Sequence, residues 1–155
     1  LNGSLTVNGG TVKPGDSPGE LTVNGSFTEP TTGNLMIQIA SLASFDILNV
    51  EGQANLGGTV SFTALDGFVV AAGETFFFLD YSSLNGTFNT VDLTGLNLPP
   101  GLTAEVLYGV GNGDQAELRI NGTGGTAAPE PSMIFLFAAG LGILGTVRVL
   151  RRKGN

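Results

Sequence analysis

Apolar residues recur at every second position through much of this chain. Leu35, Ile37 and Ile39 keep that spacing, as do Val60, Phe62 and Ala64, and Val106 and Tyr108. A period of two is that of a β-strand with one buried face, whereas a helix repeats near 3.6. One short pattern occurs four times: Leu5-Thr6-Val7-Asn8-Gly9, Leu21-Thr22-Val23-Asn24-Gly25, Leu48-Asn49-Val50-Glu51-Gly52 and Leu118-Arg119-Ile120-Asn121-Gly122. Each copy places two apolar residues two apart and follows them with a polar residue and Gly, which predicts a strand and then a turn. The run Phe76-Phe77-Phe78-Leu79 is apolar throughout and predicts a strand buried on both faces. No segment before residue 129 shows a helical period. Met36 to Leu48 is ambiguous, with a short turn or loop expected over Ser41 to Phe45.

Imperfect repetition of strand and turn points to a solenoid, in which each coil buries its apolar side on its neighbours. At roughly 20 or more residues per coil, residues 1–122 supply on the order of five coils. An antiparallel β-sandwich is the alternative, since it also strings short strands between Gly-rich turns. The two differ in pairing: a solenoid stacks successive coils in parallel, and a sandwich uses hairpins. Leu1 starts in mid-pattern, without a cap or a leader, so a mature product or a fragment of a longer chain is expected.

The pattern changes at residue 129. Pro129-Glu130-Pro131-Ser132 leads into an apolar run, Met133 to Val147, which ends in the basic residues Arg148, Arg151, Arg152 and Lys153. A helix over residues 133–150 would cover about 27 Å, against a hydrocarbon core of roughly 30 Å. Arg148 can snorkel to the headgroups at one end. Gly140, Gly142 and Gly145 suit a membrane helix better than a soluble one. Residues 133–150 are therefore expected to form a transmembrane helix. Of six basic and thirteen acidic residues, four basic ones lie in this tail and every acidic one lies at or before Glu130, so residues 1–130 carry −11 and the rest +4. Lys and Arg favour the cytoplasmic side, which places the acidic bulk outside. A tail-anchored cytosolic protein would reverse that rule.

The order of Pro129, Glu130 and Pro131, the apolar span and the Arg151-Arg152-Lys153 cluster resembles the PEP-CTERM sorting signal of Gram-negative bacterial surface proteins. The likeness covers about the last sixth of the chain. It implies an exosortase-like protease or transpeptidase as partner, a membrane as the other, and a host that makes exopolysaccharide. It also implies a cell-envelope location: anchored in the inner membrane with the body outside, then at the surface or released after processing. Upstream, Gly10 to Gly25, Gly57 to Val60, Gly73 to Phe76 and Gly86 to Phe88 resemble the passenger β-helix of autotransporter-type surface proteins. That resemblance implies a right-handed parallel β-helix, although autotransporters end in a membrane barrel and this chain in a single apolar segment. The expected organisation is an all-β solenoid over 1–122, a Gly/Thr/Ala linker over 123–128 and a sorting signal over 129–155 that contains the transmembrane helix.

Candidate chemistry is sparse. His and Cys are absent, which removes the usual nucleophile–base pairs and all thiol chemistry. A net charge of −7 argues against nucleic acid as a partner. Gly140-Leu141-Gly142-Ile143-Leu144-Gly145 matches the dinucleotide fingerprint in letters but lacks the strand before it and the acid after it. Gly109 to Asp114 resembles one imperfect calcium nonapeptide and is better read as a tight turn. Asp16, Asp46, Asp66, Asp80 and Asp92 are scattered singly, without the clustering a calcium site needs. Four Asn-Gly-Ser/Thr triplets fit the glycosylation sequon, but Asn-Gly is also a favoured turn pair. Lys13 and Arg119, the two upstream cations, fall inside repeat patterns and read as exposed strand or turn charges. No catalytic, cofactor or metal residue is assigned. The expected role is that of a non-enzymatic surface or matrix protein associated with exopolysaccharide or biofilm. A carbohydrate-binding or polysaccharide-cleaving module is the alternative.

Overall fold

The computed structural model describes residues 1–16 and 18–122. The linker, Pro129 to Pro131, the apolar span and the basic residues Arg148, Arg151, Arg152 and Lys153 all lie outside the described residues. Among the described residues every regular element is a strand, and no helix is long and apolar enough to cross a membrane.

Two sheets enclose one hydrophobic core. The first holds β1 (Leu5–Thr6), β3 (Glu20–Val23), β4 (Phe27–Glu29), β7 (Ile47–Leu56), β9 (Thr75–Asn85), β11 (Leu102–Val110) and β12 (Gln115–Gly122). The second holds β2 (Thr11–Val12), β5 (Asn34–Ser41), β6 (Ser44–Phe45), β8 (Thr59–Ala64) and β10 (Thr90–Gly95). The chain passes from one sheet to the other and back. Successive visits pair in parallel: β1 with β4, β3 and β4 with β7, and β7 with β9. In the second sheet β2, β5, β8 and β10 do the same. The result is a parallel β-solenoid of about three turns. Its coil lengthens from 23 residues (Thr11 to Asn34) to 25 (Asn34 to Thr59) and 31 (Thr59 to Thr90).

Parallel register places like residues on like, and this builds the core. Leu21, Leu48 and Leu79 form one column, and Val23, Val50 and Tyr81 the next. Across the core, Val12, Leu35 and Val60 stack in the second sheet, and Val91 continues the column but is exposed. Leu35, Ile37 and Ile39 are fully buried, as the spacing predicts. The interior is closed by edge-on aromatic pairs, Phe62 with Phe78 at 5.0 Å and Phe45 with Phe76 at 5.4 Å, an arrangement in which ring edges meet ring faces.

The expectation of about five coils is corrected to about three. After β10 the winding stops. Residues 102–122 instead fold back as the antiparallel hairpin β11–β12, and β12 lies antiparallel on β9. A strand of alternating residues fits either direction of pairing, so the repeat pattern alone does not reveal the reversal. The hairpin loop is the tight turn expected at Gly109 to Asp114, with Gly109, Gly111 and Gly113 at positive φ.

The four repeat copies have different fates. Leu21–Val23 and Leu48–Val50 stack in exact register. Leu5 instead pairs with Phe27, and the Leu118 copy lies in the antiparallel hairpin. After the Leu21 copy the chain bends at Asn24 and Gly25, as expected, but after the Leu48 copy there is no turn, since β7 continues through Gly52. A methyl at Gly52 would stand 2.7 Å from the carbonyl oxygen of Gly25, so glycine is required there by the closeness of adjacent coils. Phe77 also departs from expectation. It is 38% exposed while Phe76, Phe78 and Leu79 are buried, because a bulge between Ala116 and Glu117 turns two successive residues of β9 inward.

Candidate functional site

The outer faces of both sheets carry polar rows. On the first, Asn49, Asp80 and Gln115 lie side by side in register, and Gln115 Nε2 donates to Asp80 Oδ1 at 2.6 Å. Asn55 Nδ2 donates to Thr28 Oγ1 at 3.3 Å, and Asn85 Nδ2 to Asn55 Oδ1 at 3.0 Å, one coil to the next. A shallow groove of about 380 Å³ runs beside Asn49, Glu51, Asp80, Tyr81, Asp114 and Gln115. The Tyr81 hydroxyl fixes its end: it donates to the carbonyl of Gln115 at 3.0 Å and accepts from the amide of Gly109 at 2.9 Å. These bonds tie the solenoid to its terminal hairpin.

The second sheet shows the row Thr11, Asn34, Thr59 and Thr90, four residues in parallel register. Beside it, Ser61 Oγ donates to Asn34 Oδ1 at 3.1 Å. A groove of about 350 Å³ follows this face, rimmed by Thr31, Asn34, Thr59, Thr63, Asp92 and Thr94. Asp92 Oδ1 accepts from the Thr94 amide at 3.0 Å and from its hydroxyl at 2.7 Å, and these bonds hold its carboxyl below the usual range. Such a face offers many uncharged donors and acceptors and one carboxylate. Among the described residues no three acidic groups lie close enough to hold a metal ion.

Of the two upstream cations, Lys13 is exposed. Arg119 is bonded to Glu117 at 2.5 Å, and Glu117 is itself buried. Arg119 therefore neutralises a buried carboxylate, a role the repeat pattern does not show.

Two further carboxyl groups are buried, at opposite bends of the coil. Asp46 sits where the second sheet returns to the first, just after the β5–β6 hairpin. Its Oδ1 accepts from the Gly19 amide at 2.7 Å and its Oδ2 from the Gln38 amide at 2.9 Å. Burial raises its carboxyl above the usual range, while the two amides and the charge of Lys13 pull the other way. Asp46 thus pins β5 and its own bend to the segment at Gly19 in the preceding coil.

Glu29 sits where the first sheet passes to the second. It is 1% exposed, and neither carboxyl oxygen has a hydrogen-bond partner. Burial pushes its carboxyl up to about 7; the amides of Thr59 and Leu35 lie nearest and oppose the shift. The Thr59 amide is already bonded to the Gly33 carbonyl at 3.0 Å. Facing Glu29 from β11 is Tyr108, whose hydroxyl accepts from the Phe88 amide at 3.1 Å. Burial is the main reason the Tyr108 phenol is also raised. Glu29 carries a signal that the sequence could have supplied: Phe27 points inward and Thr28 outward, so alternation sends Glu29 inward.

No protein-family model matches this chain, and no curated protein matches it.

Proposed function

We propose that this chain is a non-enzymatic bacterial surface or matrix protein, exported and then sorted through its carboxy-terminal signal. Its body is a right-handed solenoid, the hand favoured for parallel crossovers. One observation carries the reading: Pro129-Glu130-Pro131, an apolar run and a basic cluster occur in that order at the end of an acidic chain. Residues 133–150 enter the inner membrane as a helix, and Arg148, Arg151, Arg152 and Lys153 hold its cytoplasmic end. An exosortase-like enzyme acts at the Pro129–Pro131 segment, and the body is left on the surface or in an exopolysaccharide matrix. Its stacked Asn and Thr rows supply a hydrated, weakly charged exterior suited to that setting.

The test compares the full chain with one lacking residues 129–155 in cells of a producing host, by fractionation and by mature mass. The truncated chain is expected to miss the envelope fraction and escape processing. Identical location and processing of both would overturn the reading. A second reading, a carbohydrate-binding module, is favoured by the Thr11–Asn34–Thr59–Thr90 row, whose uncharged donors and acceptors match a hydroxyl-rich polymer. Glycan-array binding by the chain, abolished by Thr59→Val, would promote it.

A further inference from the structure

Glu29 occupies a position built for an apolar side chain. Its register partner in the next coil is Leu56. In the preceding coil, Thr6 pairs with Thr28, so Val7 extends the same row to Glu29. Val7 and Leu56 are both buried core residues. The carboxyl group is packed against the backbone of two glycines. A methyl built on Gly58 would stand 2.5 Å from the Gly33 carbonyl oxygen, 2.8 Å from that of Pro30, and against Oε1 of Glu29 itself. Carboxyl and carbonyl oxygens therefore crowd one side of Gly58. An ionised carboxylate there lies against those acceptors without a hydrogen-bond partner, and only the nearby amides of Thr59 and Leu35 offset part of its cost. A neutral acid has an O–H to donate, and each of those carbonyls has a second lone pair beyond its bond to an amide.

We propose that Glu29 is a proton-operated latch: the coil closes around its neutral acid, and loss of that proton loosens the bend at Pro30–Gly33 and the adjoining rim of the second-sheet groove. The titratable group that faces it is Tyr108, which is neutral throughout the relevant range. Thr31 and Gly33 line that groove and Glu29 packs against Gly33, so the latch adjoins its rim.

The sign follows from linkage. The folded value, about 7, lies above the ordinary 4.5, so the folded state keeps its proton after the unfolded chain has lost it. The stabilisation is complete below pH 4.5, falls between 4.5 and about 7, and is gone above that.

The experiment measures unfolding of the full chain from pH 4.5 to 8.5, beside Glu29→Gln, which keeps shape and a donor but cannot ionise. The wild-type unfolding constant is expected to rise about 100-fold more than that of E29Q across the window. Protection of the Gly33 and Thr59 amides from hydrogen exchange should fall in the wild type alone. Parallel curves for the two proteins would overturn the proposal. Should E29Q not fold, infrared spectroscopy of the wild type decides. A protonated carboxylic acid band that persists at pH 6 and disappears by pH 8 supports the latch, and its absence at pH 6 refutes it.

Discussion

The two bends of the coil solve the same problem in opposite ways. At the bend holding Asp46, a buried carboxyl receives two backbone amides, one from 27 residues away and one from 8. At the bend holding Glu29, a buried carboxyl receives none and lies among carbonyl oxygens. The first arrangement stabilises, because each amide gains a partner that water would otherwise supply. The second costs free energy whenever the group is charged. The bends also differ in form. The Glu29 bend is short and glycine-rich in successive coils, while the Asp46 bend carries the extra β5–β6 hairpin. Tight turns leave little room to move a backbone donor toward a misplaced oxygen, and a longer excursion can bring one in.

The largest effect expected from this contrast is at Asp46. Asp46→Ala strands the amides of Gly19 and Gln38 in a part-buried bend and should cost about 3 kcal/mol, read from chemical denaturation at neutral pH. A loss well under 1 kcal/mol would mean that water replaces the carboxylate and that the two bends are not so different. Next in size is Gly58→Ala, which pushes a methyl into the Gly33 and Pro30 carbonyls and the Glu29 carboxyl. Overpacking against backbone should cost about 2 kcal/mol. Gly10→Ala, with open space around it, is the matched control and should be near neutral.

These residues mark how far the sequence could be read. Alternation located the strands, and the Leu21 and Leu48 copies announced their own register, because a parallel coil repeats its inward residues at the same places. It did not announce the end of the winding. The Leu118 copy has the same local pattern as its siblings, and only its fit against β9 and β11 makes it antiparallel. Asp46 reads as one of several scattered acids, since its partners Gly19 and Gln38 offer main-chain groups that any residue has. Arg119 reads as a surface charge, although it pairs with a Glu that a β-bulge helps to place inside. Glu29 was legible in principle: strict alternation from Phe27 puts it in the core row of Val7 and Leu56. Its charge suggests an exposed residue, but alternation is the stronger signal there. The sorting motif at Pro129–Pro131 is a local string and needs no fold to be seen.

The smallest effect is the most discriminating. Glu29→Leu replaces a carboxyl by the side chain found at the next position of its row. At pH 8 the wild type must hold an ionised group without a partner, so the variant should be more stable, by about 1 kcal/mol after allowing for the imperfect fit of a branched side chain. At pH 4.5 the wild type regains its neutral acid and the hydrogen bond it can donate, so the advantage should reverse. A gain at pH 8 that persists unchanged at pH 4.5 would mean that the site simply prefers an apolar residue, and that the proton adds nothing to the bend. A loss at both values would mean that Glu29 has partners when ionised, which would make its bend a second version of the one around Asp46.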